Sequence, residues 1–98
     1  MRGFAEYKVF GGKLLKAEIE YDTTLKRVRF FGDFFLHPEE TIILLEKILQ
    51  GTPIPFSIEA IESKIAGVLK DQNAELVGVS PNDFALVLQE AIQNANSC

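Results

Sequence analysis

The chain has 98 residues, 47% of them apolar and 24% charged, with a net charge of -4 at neutral pH. That length supports one hydrophobic core but not two independently folded units, so residues 1–98 are expected to form a single domain. An acidic balance argues against nucleic-acid binding, no apolar run approaches the roughly 18 residues of a membrane span, and one cysteine, Cys98, excludes an internal disulfide, so a cytoplasmic location is expected.

The first elements read as strands. Residues 4–10 and 13–21 alternate, with Leu15, Ala17, Ile19 and Tyr21 on one face and Leu14, Lys16, Glu18 and Glu20 on the other. Gly11 and Gly12 lie between the two runs. Two glycines tolerate positive φ, so the spacing predicts a hairpin with a tight primed turn. Asp22-Thr23-Thr24 makes a second turn into LKRVRFF, a third antiparallel strand in which Val28 and Phe30 alternate with Arg27, Arg29 and Phe31.

Helical spacing follows. His37 is expected at a helix entry, Pro38 at the first helical position, and Glu39 and Glu40 in the first turn, with Ile42, Leu45, Ile48 and Leu49 as the apolar stripe up to Gly51. Ser57 is expected to cap a second helix that buries Ile58, Ile61, Ile65, Val68 and Leu69. ELVGV reads as a short fourth strand or an extended connector. Ser80, Pro81 and Asp83 then form a capping-box-like start to a last helix with Phe84, Val87, Leu88, Ala91 and Ile92 inward, followed by NANSC as a frayed tail. Strands first and helices after predict an α+β fold, an antiparallel β-meander with helices packed on one face.

No self-sufficient active site emerges. The Gly-Lys of FGGKLL lacks the earlier glycine, the following Ser or Thr and the helix of a phosphate loop, and a hairpin turn is the stronger reading. One histidine and one cysteine cannot make a zinc site, and Cys98 has no base fixed beside it. Neither catalytic residues nor a metal site is therefore expected. Asp33 reads as an Asx-turn residue or as the partner of Lys13 or Arg29 in an edge ion pair. Basic residues outnumber acidic ones seven to five up to Pro38, and acidic ones dominate nine to three thereafter.

The segment GGKLLKAEIEYD...VRFFGDFFLHPEE, with the later GVSPNDFALVLQEAI, resembles the accessory, or C-terminal, domain of lipoate-protein ligases over residues 8–92. Its most specific element is Gly32-Asp33-Phe34-Phe35, about 20 residues after a Gly-Gly-Lys hairpin. The turn Asp22-Thr23-Thr24 departs from the family, many of whose members carry a glycine there. The resemblance implies a non-catalytic small subunit of a two-chain ligase, inactive alone. With a large catalytic chain it would take part in ATP-dependent activation of lipoate to lipoyl-adenylate and transfer to a lysine of lipoyl-acceptor proteins, namely the E2 chain of 2-oxoacid dehydrogenases or the glycine-cleavage H protein. No cofactor is expected on this chain alone, whereas the complex would use ATP, Mg and lipoate.

On this reading Gly11, Gly12, Lys13, Gly32, Asp33, Phe34 and Phe35 are the candidate partner or closure interface, with Phe34 and Phe35 facing opposite ways, one to the core and one to the partner. The competing reading places all four phenylalanines of RFFGDFF in the core. A free-standing module that grips a lipoyl domain or an acyl carrier through its sheet, with no ligase role, is the alternative function.

Overall fold

The computed structural model describes residues 1–9, 11 and 13–96. Three antiparallel strands, β1 (Arg2–Val9), β2 (Lys13–Tyr21) and β3 (Leu25–Gly32), form a meander in the order β1-β2-β3. Short strands β4 (Phe35–His37) and β5 (Glu75–Val77) form a separate two-stranded ribbon. Helices α1 (Thr41–Leu49), α2 (Ile58–Asp71) and α3 (Pro81–Asn96) complete the fold. α3 lies on β1 and β2, α2 packs on α3, and α1 lies against β3. The α+β meander with helices on one face is thus what the chain forms.

Period-two alternation sorts the sheet into a helix-covered and an open face. Leu15, Ala17, Ile19 and Tyr21 of β2 are all buried under the helices, beside Ala5 and Val9 of β1 and Val28 and Phe30 of β3. Register slips once, where Glu20 pairs with Arg27 but Tyr21 with Leu25. Lys26 is the extra residue of a β-bulge, and this lets both Leu25 and Val28 point inward although they are three positions apart. The turn before it is held by Asp22, whose Oδ1 accepts from the Thr24 amide at 3.1 Å, so the chain turns there without a glycine.

Gly3 has a steric reason. A Cβ at that position would stand 2.3 Å from the Ala91 carbonyl oxygen, so only glycine admits the α3 backbone this close to β1. The helix caps form as expected: Ser57 Oγ accepts from the Ala60 amide at 3.1 Å, and Asp83 Oδ2 accepts from the Ser80 amide at 2.8 Å. The exposed edge of β3 is partly shielded by α1, where Glu46 Oε2 accepts from the Phe30 amide at 2.8 Å.

Four local expectations are corrected. α1 begins at Thr41, not Pro38, because His37 is held in β4 opposite Glu75, and residues 38–40 wind through single turns such as Thr41 N–H to Pro38 C=O at 3.0 Å. Its first turn therefore contains neither glutamate. The hairpin leaves three residues, 10–12, between the last pair Val9 and Lys13, not a two-residue Gly11-Gly12 turn. Gly11 has φ 97°, and Gly12 and the Phe10 end of the expected first strand lie outside the described residues. At the other end, α3 continues to Asn96, and the Asn94 amide donates to the Phe4 carbonyl at 2.9 Å, tying the last turn to β1. Only Ser97 and Cys98 of the expected tail lie outside the described residues. Finally, β4 was not anticipated: the segment after Gly32 pairs with ELV, which is a strand and not a connector.

Candidate functional site

At the end of the meander where β2 begins and β3 stops, the backbone comes unusually close to itself. Gly32 has φ 143°, and a Cβ there would lie 2.2 Å from the Leu14 carbonyl oxygen, which also accepts from the Asp33 amide at 2.7 Å. Glycine is required on both counts, and the contact turns the chain sharply out of β3. The next residues enter β4, whose pleat sends alternate side chains to opposite sides. Phe34 and Leu36 go inward. Phe34 meets Phe84 edge-to-face at 5.6 Å, while Phe30 meets the same ring at 4.7 Å. Leu36 is 6% exposed.

Phe35 goes the other way and is 55% exposed. Opposite it on β5 stands Val77, 51% exposed, and His37 lies on the same face with its ring parallel to that of Phe35 at 6.3 Å. His37 is thus a strand residue, not a helix-entry residue. Gly78, with φ 101°, follows Val77; a Cβ there would fall 3.3 Å from the Asp33 carbonyl oxygen and 3.8 Å from Lys13 Cγ.

These approaches gather Lys13, Gly32, Asp33, Phe34 and Phe35 around one shallow groove of about 370 Å³, together with Val77 and Gly78. Five of the seven residues singled out in the sequence therefore share a surface. Gly11 sits at the exposed hairpin tip without lining it, and Gly12 is outside the described residues. Among the described residues neither the Lys13 ammonium nor the Asp33 carboxylate has an ion pair or a side-chain hydrogen bond, so the expected Asx turn and edge ion pair do not form. A second groove runs from Phe35 past Gly32 to Phe31, which is 38% exposed. The reading with all four phenylalanines in the core is set aside: Phe30 is buried and Phe34 packs on it through Phe84, but Phe31 and Phe35 are exposed.

Sequence reasoning missed Val77 and Gly78. The signal was slight: in ELVGV the outward valine is followed by a glycine that breaks the strand, but only the pairing with β4 brings both to Lys13 and Asp33. Chemically the groove offers the exposed Phe35 and Val77 beside a lysine and an aspartate that have no ion pair among the described residues. Among the described residues no three His, Cys, Asp or Glu side chains gather to hold a metal ion, and no helix is long and apolar enough to cross a membrane.

No family model matches the chain. It is 31% identical over 80 residues to lipoate-protein ligase A subunit 2 of Thermoplasma acidophilum, an alignment covering 78% of this chain and 77% of that protein. Its structure is similar, with a TM-score of 0.72 and 30% identity over 90% of this chain and 94% of the other, to a chain from the structural analysis of an archaeal lipoylation system, a bi-partite lipoate protein ligase and its E2 lipoyl domain from the same organism.

Proposed function

The chain belongs to the lipoate-protein ligase family as a small accessory subunit of a split ligase, and from this we propose that it binds a separate large catalytic chain and completes it. In that complex lipoate is activated by ATP to lipoyl-adenylate and passed to a lysine of a lipoyl-acceptor protein, an E2 lipoyl domain or an H protein. The observation that carries this reading is the match along 90% of the chain to a component of a two-part ligase. Residues 1–98 act on this reading as one accessory domain in the cytoplasm. On this reading ATP, Mg and lipoate are used by the complex and not by this chain alone.

The groove supplies the means. Phe35 and Val77 are the apolar centre of the contact, and Lys13 and Asp33 give it polarity and register. Gly32 and the positive-φ Gly11 of the hairpin shape the two loops that present them. Phe34, locked on Phe84, holds the ribbon to the core while Phe35 faces outward. A mixed acyl-adenylate hydrolyses when water reaches it, so a subunit that closes over the site protects the intermediate and helps complete the geometry for reaction.

The test is to purify both chains and measure lipoate-dependent ATP consumption and acceptor modification. This chain alone is expected to do neither and the pair to do both. Adenylate formation by the small chain alone, or a catalytic chain equally active without it, would refute the assignment.

A further inference from the structure

The two edges of the meander are closed in different ways. On β3, Leu25 accepts from the Gly51 amide and donates to the Thr52 carbonyl, and Glu46 takes the Phe30 amide. On β1 the outward groups follow from the ladder. Met1 and Tyr21 exchange both backbone bonds, at 2.7 and 2.8 Å, and such pairs alternate along antiparallel strands. Gly3, Ala5, Tyr7 and Val9 therefore bond to β2, while Arg2, Phe4, Glu6 and Lys8 turn their amides and carbonyls away from it. Among the described residues a single one of these outward groups has a partner: the Phe4 carbonyl accepts from Asn94, in the last turn of α3, at 2.9 Å.

A free antiparallel edge is a template for a further strand. A second copy of this chain would offer the same edge about a two-fold axis, so the position of the axis fixes every cross-strand pair. An axis at Ala5 sets Arg2 opposite Lys8 of the second copy, and axes at Glu6 and Lys8 set each of those residues against itself, so all three oppose like charges. At Gly3 the axis sets Arg2 against Phe4 and matches no charges. At Tyr7 it matches Glu6 with Lys8, but the overlap stops at the hairpin and leaves Arg2 and Phe4 unpaired. At Phe4 the overlap runs from Met1 to Tyr7, and Arg2 lies opposite Glu6 of the second copy on both sides of the axis. The neighbouring strands extend this match. Arg2 pairs with Glu20 at 3.1 Å, Glu20 stands beside Arg27, and Glu6 pairs with Lys16 at 3.9 Å. One row across both sheets then reads Arg27, Glu20 and Arg2, followed by Glu6 and Lys16 of the second copy, alternating in sign throughout. Phe4, 44% exposed, meets its counterpart at the axis, where each Phe4 must donate and accept a backbone bond. That carbonyl is the one Asn94 fills.

We propose that the edge of β1 is a seam for a second copy of this chain, and that the Asn94 side chain, seated on the Phe4 carbonyl, keeps the seam shut so that the subunit stays single. With Asn94 removed, two meanders join edge to edge in one continuous sheet.

The experiment is sedimentation velocity on the two-chain complex over a range of concentrations, with wild type, Asn94→Ala and Asn94→Ser, each checked for folding by circular dichroism. The wild-type complex should hold one copy of this chain throughout. Both variants should double, with a dissociation constant about tenfold or more below any wild-type value. Adding Arg2→Glu to Asn94→Ala should abolish the doubling, Arg2→Glu with Glu6→Arg should recover part of it, and raised salt should weaken it. Variants that stay single, a wild type that doubles as readily, or doubling indifferent to Arg2→Glu each overturn the proposal. Failure of both Asn94 variants to fold does so too, since Asn94 would then be a fastening of α3 and not a guard of the edge. A catalytic chain that never associates strikes the split-ligase reading alone, and the same comparison is then made on this chain by itself.

Discussion

Replacing Phe35 and Phe34 separately with alanine gives the sharpest test of the groove, because two adjacent phenylalanines are assigned opposite duties. Phe35 is 55% exposed. A phenylalanine presents roughly 200 Å², so about 110 Å² remains to be covered by a partner, equivalent at ~25 cal/mol/Å² to about 2.5 to 3 kcal/mol. Phe35→Ala should therefore weaken binding to the catalytic chain by about a hundredfold. Because the Phe35 ring lies outside the core, the melting temperature of this variant should stay within a few degrees of wild type. Phe34 is half-buried and edge-on to Phe84 at 5.6 Å, so truncation removes most of its burial and an aromatic pair. Discounting for a compact unfolded chain, Phe34→Ala should cost about 3 kcal/mol of stability. In a domain of this size that lowers the midpoint by on the order of 15 °C. Differential scanning fluorimetry and calorimetric titration against the catalytic chain separate the two effects. If Phe35→Ala binds as tightly as wild type, or melts as low as Phe34→Ala, the division between a core-facing and a partner-facing ring is wrong.

The glycines make a paired prediction: Gly32→Ala meets the Leu14 carbonyl and an unfavourable φ, so it should lose roughly 2 to 4 kcal/mol in urea unfolding, whereas Gly67→Ala, in open space within α2, should gain up to about 1 kcal/mol. Equal effects at the two positions would contradict the close approach seen at Gly32. Glu46→Ala strips the acceptor from the Phe30 amide on the β3 edge and should cost about 1 to 2 kcal/mol by chemical denaturation, with Glu46→Gln recovering part of it. Asp22 titrates below the ordinary aspartate value, chiefly because the Thr24 amide hydrogen-bonds its carboxylate, with a further contribution from Lys26. A lowered folded-state pKa means that its stabilisation is present above the unfolded value of ~3.9 and is lost as pH falls through the lower folded value. Melting curves of wild type and Asp22→Asn should accordingly converge toward low pH, and a gap that widens on acidification would reverse the assigned sign.

Much of the fold is written in short-range pattern. Alternation at positions 15, 17, 19 and 21 placed β2 and its buried face, because the pleat repeats every two residues whatever the partner. Ser57 and the Ser80-Asp83 pair marked helix starts through local hydrogen bonds, and the stripes of α2 and α3 followed from 3.6-residue periodicity. In the sequence Gly32 and Asp33 are a Gly-Asp pair set between two Phe-Phe pairs, but the reason for the glycine, the Leu14 carbonyl at 2.2 Å from any Cβ, comes from a strand 18 positions earlier in the chain.

The tertiary structure decided what the local pattern left open. A three-residue strand has too few positions to show a period, so β4 exists only because β5, some 40 residues later, supplies its hydrogen bonds. That pairing held His37 and Pro38 out of α1 and moved Glu39 and Glu40 ahead of the helix. The same register chose Phe34 for the core and Phe35 for the surface, and carried Val77 and Gly78 to Lys13 and Asp33. Sequence names the residues with binding chemistry; long-range pairing and packing determine which of them share a face, because the energies that bring them together belong to contacts between segments and are carried by neither segment alone.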